Sequence, residues 1–503
     1  MSRQLARLGN VFHGSVAPRH MRPGAFTIIT RMRRTLALSS LLLFGLALTL
    51  VSRQPASDPR LRKAYRLPEH SGWIQVHLEG TPSQIGFQHG YLLASEIKDD
   101  YLAISTELTH EEKKDWAFFR KLSEDMFWPH VEQEYRDELT GMAEGLKARD
   151  VKLDVWDLVT LNAWLELPYY DKWRDRQTAP RITGAGGDGP RGPGDHCSAF
   201  VATGSYTKDG RFVIGHNNWT SYSSGERWNI VFDIVPASGH RILMDGAAGL
   251  IHSGDDFGMN AAGIVITETT ISNFTGFDPN GVPEFVRARK AMQYAESIDD
   301  FARIMEAGNN GGYANNWLVA DRKNNEIASL ELGLKNMVLQ RTTDGFFVGS
   351  NFPANPKLIK EETDFDPNDK SKSENARHIR WLQLMDQNKG RIDVAAGQRF
   401  LADHYDTFEG KVDPSERSLD GHIEISPRGM GSWQAPYAPA GAVQNKITDA
   451  AGAEKMSMMA ALGHACGINY KSQEHLAKHP EFAWMKDILR DMPARGWARF
   501  TAR

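Results

Sequence analysis

Asp195-His196-Cys197-Ser198-Ala199-Phe200 is followed by a turn at Lys208-Asp209-Gly210 and then by Phe212-Val213-Ile214-Gly215-His216-Asn217-Asn218-Trp219-Thr220-Ser221-Tyr222. The apolar residues after Cys197 read as a strand, the Lys-Asp-Gly turn as a hairpin, and the second run as a returning strand that ends in polar residues. Upstream, Gly184 to Gly194 reads Gly-Ala-Gly-Gly-Asp-Gly-Pro-Arg-Gly-Pro-Gly, which offers almost no side chain to pack. A stretch of that composition is a linker or a processing site, and its place just before Cys197 favours processing. A cysteine that opens a strand behind such a loop suits a nucleophile released by chain cleavage.

Working outward, 503 residues with 41% hydrophobic and 24% charged content can bury a large core, as one large or two intimate domains. A net charge of −4 carries no electrostatic footprint for nucleic acid, and neither a zinc-finger nor a phosphate-loop signature is present. Small molecules are the expected partners, and no cofactor is called for. The two cysteines, Cys197 and Cys466, exclude a disulfide scaffold. Cys466 lies in Gly463-His464-Ala465-Cys466-Gly467 and reads as structural; a metal site built from His464 and Cys466 lacks enough ligands at workable spacing, so no metal is expected.

The first 34 residues hold seven arginines and no acid, and they precede an apolar run from Leu36 to Val51. This is the pattern of an export signal or a short signal anchor. Met21 and Met32 are alternative starts, and Met32 gives a signal of conventional length. The expected destination is periplasmic, extracellular or lysosome-like, with the N-terminal segment either removed or kept as a membrane tether.

Trp73 to Leu78 alternates as a strand, and Thr81-Pro82-Ser83 announces a helix whose apolar positions run from Ile85 to Leu108. Gly86 and Gly90, four apart, lower its helix propensity but let another backbone approach closely. Further helical stretches run from about Trp116 to Leu146 and from Val155 to Leu165, rich in aromatics that read as core. After Cys197 the signal changes to short strands separated by Gly/Asn/Asp turns, with helical segments at about Pro283 to Ala307, Ser373 to Asp386 and Val394 to His404. The expected class is α+β. The expected division is a basic region and signal over 1–52, a mainly helical part over 53–183, a processing loop over 184–196 and a catalytic core over 197–503.

His196 to Tyr222 resembles the phospholipase B-like proteins and, more loosely, the penicillin acyltransferase group of N-terminal-nucleophile (Ntn) hydrolases. Three further stretches match in order: Ile251-His252-Ser253-Gly254-Asp255-Asp256-Phe257, Gly263 to Ile271, and Asn315-Asn316-Trp317. The resemblance implies a four-layer αββα sandwich, here with an N-terminal helical segment, and self-cleavage between His196 and Cys197. It assigns Cys197 as nucleophile and His216, where related amide hydrolases often carry an arginine, to orienting or polarising it. Trp219 occupies the place of an aspartate that contacts the α-amine in those relatives, which leaves Asp255, Asp256 or Glu268 as substitutes. Met259-Asn260-Ala261-Ala262-Gly263 resembles the turn before an oxyanion-donor strand, placing Thr269 or Thr270 near one donor; Asn315 or Asn316 resembles the second, with Asn316 preferred. As plain residues, His216 equally suits a core histidine, and Asp255-Asp256 and Asn315-Asn316 are also good turn chemistry.

The chemistry is self-consistent. A free thiol near pKa 8.5 and an α-amine near 7.7–8.0 are close enough for the amine to activate the sulfur around neutral pH, so nucleophile and base share one residue. The reading is an exported, self-processing cysteine hydrolase that cleaves a linear amide bond of an acylated small molecule or peptide, its two chains staying associated. Deacylation of phospholipids is the alternative within the same chemistry. A papain-like enzyme using His216 or His252 as base, and a secreted binding protein that kept the fold without catalysis, are the others.

Overall fold

Ile74, Val76 and Leu78 face one way and Gln75 and His77 the other, and this alternation builds a strand one in from the edge of the larger of two sheets. The computed structural model describes residues 58–178, 196–254, 257–431 and 433–503, and Pro59–Arg503 forms one unit. The Leu36–Val51 run, the Gly184–Gly194 loop, Asp255 and Asp256 lie outside the described residues.

Nine strands make the larger sheet. They are β1 (Tyr65–Arg66), β2 (Ile74–Gly80), β5 (Ile230–Pro236), β6 (Ile242–Gly246), β7 (Gly258–Asn260), β8 (Ile264–Thr270), β9 (Asn315–Asp321), β10 (Glu326–Leu332) and β11 (Met337–Thr342), in that spatial order. The smaller sheet runs β12 (Gly345–Gly349), β3 (His196–Thr203), β4 (Val213–Ser221), β15 (Ala440–Asp449), β16 (Ser457–Leu462) and β17 (Ala498–Thr501). A separate two-stranded ribbon pairs β13 (Tyr405–Asp406) with β14 (Lys411–Val412). Within the two sheets every strand pair is antiparallel except β2 with β5, so a strand from before the Gly/Pro-rich loop is hydrogen-bonded inside a sheet made mostly from after it.

Alternating side chains decide the layers. Ala199, Val201 and Ile214 of the smaller sheet meet Val231, Leu243, Val265 and Leu318 of the larger in one core between the sheets. On the outer face of the larger sheet lie α1 (Pro82–Leu92), α2 (Ala94–Glu112), α3 (Trp116–Leu122), α4 (Gln133–Lys147) and α5 (Val155–Asn162). α6 (Leu167–Thr178) follows them in the chain, and α7 (Glu284–Tyr294) and α8 (Ile298–Glu306) complete the same helical layer. After α9 (Pro356–Glu362), the helices α10 (Ser373–Gln387) and α11 (Val394–Leu401) cover the other sheet through Trp381, Phe400 and Leu401 against Phe200 and Ile447. The result is a four-layer αββα sandwich. The part before the loop is less separate than its composition suggests, because it supplies β1 and β2 as well as most of one helical layer.

Two expected helices are each broken. Leu93 leaves helical geometry (φ −117°, ψ 23°) and separates α1 from α2. Pro129, which has no N–H to donate, sits in the irregular turns between α3 and α4.

Gly86 and Gly90 do bring a backbone close. A methyl group at either would overlap α4 main-chain atoms, of Glu138 and Met142 respectively, while Gly141 and Gly145 of α4 meet α1 main chain in return. Gly86→Ala is therefore expected to lower unfolding free energy by about 2 kcal/mol, within the range of overpacked cores. An unchanged urea midpoint would refute the close contact.

His89 of α1 is buried and its Nε2 accepts the Gly249 N–H at 3.0 Å. Burial first, and then Arg289, push its pKa down from 6.5 to about 3. Between those two values the unfolded chain binds a proton that the folded one does not. The residue's contribution is therefore complete above pH 6.5, falls by about 1.4 kcal/mol per pH unit on acidification, and is fully lost below about pH 3. His89→Gln, which keeps an acceptor for Gly249, is expected to flatten the acid limb of stability against pH; equal slopes for the two proteins would contradict this.

Candidate active site

β3 and β4 pair with Cys197 opposite Asn218 and Ala199 opposite His216. Since alternate side chains share a face, Cys197 points with Ala199 and Val201 into the space between the sheets, and His216 and Asn218 point there from β4 with Ile214. Ser198, Asn217 and Trp219 face the opposite way, toward the α10 and α11 layer.

The Cys197 thiol is fully buried, with Sγ 3.8 Å from Asn218 Oδ1 and 3.9 Å from Glu268 Oε1. Glu268 reaches across from β8 in the other sheet, and one donor atom each of Cys197, His216 and Glu268 lie within 4.8 Å of one another. Tyr313 donates its hydroxyl to Glu268 Oε1 at 3.0 Å. Asn218 continues into a buried polar network: its Nδ2 donates to Gln444 Oε1 at 3.4 Å, Lys446 Nζ donates to that oxygen at 3.3 Å, and Lys446 pairs with Asp245 at 2.9 Å.

The backbone of Cys197 is held separately. Its N–H donates to Asn351 Oδ1 at 3.0 Å, and its carbonyl accepts from Arg377 Nη1 at 2.5 Å. Arg377 Nη2 donates to the same Asn351 oxygen at 3.0 Å, and Asn351 Nδ2 donates to the Thr270 carbonyl at 2.9 Å. Asn351 sits at φ +65°, a left-handed conformation that asparagine tolerates better than most residues. Arg377 is buried, its guanidinium 4.4 Å from the Trp219 ring centroid. Burial pushes its pKa down to about 10, opposed by Glu374 and Cys197, which leaves it cationic at neutral pH.

Of the residues singled out from sequence, Cys197, His216 and Glu268 come together in space. Thr269 pairs with Asn316 and Thr270 with Asn315 on adjacent rungs of β8 and β9. The Thr269 and Thr270 hydroxyls and both polar atoms of the Asn315 side chain are buried with no hydrogen-bond partner among the described residues. Asn316 Oδ1 instead accepts from Ser329 at 2.7 Å, and the residue lines a cavity of about 150 Å³ with Phe347, Phe352 and His378. Trp219 stands on the face of the smaller sheet opposite the thiol, under Arg377. Asn260 closes the turn into β8, accepting the Ile264 N–H at 3.1 Å ahead of Gly263 at φ +98°.

Asn218, Tyr313, Asn351 and Arg377 carry no assignment from sequence. Asn218 was visible inside the quoted stretch, and alternation from His216 points to it. Arg377 and Asn351 had no such signal, because they approach from α10 and from the turn after β12. Asn351→Gly would keep the backbone conformation but leave the Cys197 N–H and an Arg377 N–H without their acceptor. It is expected to lower stability by about 1–3 kcal/mol, with Asn351→Ala worse because alanine resists the left-handed region. A glycine variant as stable as wild type in urea denaturation would remove Asn351 from this role.

A sequence profile of the family described as Phospholipase B matches residues 81–392. An uncharacterized protein of Archaeoglobus fulgidus is 25% identical over 293 residues, covering 54% of this chain and 44% of that one. Human phospholipase B-like 1 is 24% identical over 287 residues, covering 51% of each. The chain thus spans about half the length of these relatives. Among solved structures, a variant of conjugated bile acid hydrolase from Clostridium perfringens aligns with a TM-score of 0.31 and 10% identity, over 53% of this chain and 89% of that one.

Proposed function

The chain belongs to the phospholipase B family, and from that premise we propose that it is an exported cysteine hydrolase of Ntn type, activated by cleavage between His196 and Cys197, that cleaves a linear amide bond of an acylated small molecule or peptide. The observation that carries this reading is the setting of Cys197: first core residue of β3, amide held by Asn351, and thiol facing His216, Asn218 and Glu268 between the sheets.

In self-cleavage the Cys197 sulfur attacks the His196 carbonyl carbon, with His216 polarising the thiol. The peptide C–N bond breaks, and the thiol proton ends on the departing nitrogen. Water then hydrolyses the thioester, leaving a carboxylate on His196 and restoring the thiol. The Cys197 nitrogen becomes an α-amine whose acceptor is Asn351 Oδ1, which answers the missing aspartate at Trp219. In turnover that amine takes the thiol proton as sulfur attacks the substrate carbonyl, and passes it to the leaving amine. Water releases the acid from the acyl-enzyme. The unpartnered Asn315 amide and Thr270 hydroxyl are the donors that suit the transient oxyanion.

Both pieces stay together on this reading. β2 is paired with β5, α1 to α5 share a core with α7 and α8, and the buried Arg289–Glu138 pair at 3.0 Å links α7 to α4. Export rests on the basic N-terminal region and the Leu36–Val51 run; among the described residues no helix is long and apolar enough to cross a membrane.

Intact mass and N-terminal sequencing of wild type and Cys197→Ala test the proposal. Wild type is expected to yield a fragment beginning at Cys197, and the variant a single uncut, inactive chain. One uncut chain in both sinks the self-processing mechanism. The family description favours a second reading, ester deacylation of phospholipids. Release of fatty acid and lysophospholipid by the processed wild type, with no turnover of N-acyl amines or peptides, would select it over the amidase.

A further inference from the structure

A second group of ionisable side chains lies behind the smaller sheet. His404 follows α11, Asp420 and His422 stand on the loop between β14 and β15, and Cys466 lies in the Gly463–Gly467 turn after β16. One donor atom from each of the four lies within 4.8 Å of all the others. His422 Nε2 is 3.6 Å from Cys466 Sγ, His404 Nε2 is 3.4 Å from Asp420 Oδ2, and His422 Nε2 is 3.9 Å from that same oxygen. A tetrahedral zinc ion with ordinary Zn–S, Zn–N and Zn–O bonds sets its ligand atoms about 3.3–3.6 Å apart. These three separations lie within about 0.6 Å of that spacing.

The surroundings orient the donors outward from their supports and inward to one point. His422 Nδ1 is bonded to Glu424 Oε1 at 2.8 Å, which directs Nε2 at the shared centre. Asp420 Oδ1 faces His464 Nδ1 at 3.3 Å, and the Cys466 N–H donates to Asp420 Oδ2 at 2.9 Å. Tyr222 fixes Glu424 in turn, donating to its Oε2 at 2.6 Å. Carboxylate-backed imidazole is the usual outer support of a metal ligand. His404 Nε2 is buried and makes no aligned hydrogen bond.

We propose that His404, Asp420, His422 and Cys466 form a structural site for a zinc-type divalent cation. Two imidazoles, a thiolate and a carboxylate suit a borderline-soft tetrahedral ion rather than calcium or magnesium. Four protein ligands leave no open position, so the role is to fasten the chain rather than to activate water. The ion joins the end of α11, the loop after β14 and the turn after β16. It also stands behind the nucleophile's support: a side chain at Gly421, between two of the ligands, would run into the Trp219 ring, on which Arg377 stacks while holding the Cys197 carbonyl. Spacing along the sequence hid the site because His464, the obvious neighbour of Cys466, serves in its second layer.

The test is elemental analysis of the full purified chain after dialysis against metal-free buffer and after exposure to zinc, for wild type, Cys466→Ser, His404→Ala and Cys197→Ala. About one zinc per chain is expected in wild type and in Cys197→Ala, with affinity at least tenfold weaker in the two cluster variants. The Cys197 variant separates this site from the thiol beside His216 and Glu268. Cobalt substitution of wild type provides a readout that needs no variant: a thiolate-to-cobalt charge-transfer band with tetrahedral visible bands, both abolished by a chelator together with a fall in Tm. Wild type that stays metal-free after zinc exposure, metal retained in both cluster variants, or metal lost only with Cys197→Ala overturns the proposal. A metal-free cluster held by protonated imidazoles gives the first of those results.

Discussion

One amide oxygen, Oδ1 of Asn351, accepts both the Cys197 N–H and the Arg377 guanidinium. Leaving a buried N–H without an acceptor is unfavourable by about 1–3 kcal/mol, so Cys197, near the start of β3, depends on a side chain far along the sequence. Arg377 cannot be buried alone either. Its charge is distributed over the Cys197 carbonyl, Ser198, Ser373 and Asn351 and lies across the face of Trp219. Removing any of these partners leaves a cation in a poorly solvated place. The position of the thiol thus follows from satisfying a backbone group and a charge on the far side of the sheet.

The two faces of the smaller sheet divide the work. Toward the larger sheet, Cys197, His216 and Asn218 meet Glu268, and on the rungs of β8 and β9 the Thr269 and Thr270 hydroxyls and the Asn315 amide have no hydrogen-bond partner among the described residues. Toward α10 and α11, Ser198 accepts from Arg377 and Asn217 donates to the Leu401 and Leu419 carbonyls at 2.7 and 3.0 Å. The Asn217 bond to the Leu419 carbonyl also couples this support to the loop where Asp420 and His422 stand.

The segment before the Gly/Pro-rich loop shares this dependence. Its helices meet the rest of the chain through close backbone contacts at paired glycines, through the His89 acceptor for Gly249, and through β2 inside the larger sheet. Its apolar faces would be exposed if it were removed.

Strand and helix periodicity was enough to read the α+β class, because periodicity and turn chemistry are local properties of a chain, and the ordered motifs carried the resemblance to the family. They also marked Cys197, His216 and Glu268, which the fold gathers at one point. What they could not decide was which face each strand residue presents to which layer: Trp219 reads as part of the site, yet alternation across the folded sheet turns it away from the thiol. Asn351, Arg377 and Tyr313, and the convergence of His404, Asp420 and His422 on Cys466, arise between segments distant in sequence. Their proximity is set by how the layers stack and by the need to pair each buried polar group, and only the tertiary structure contains that information.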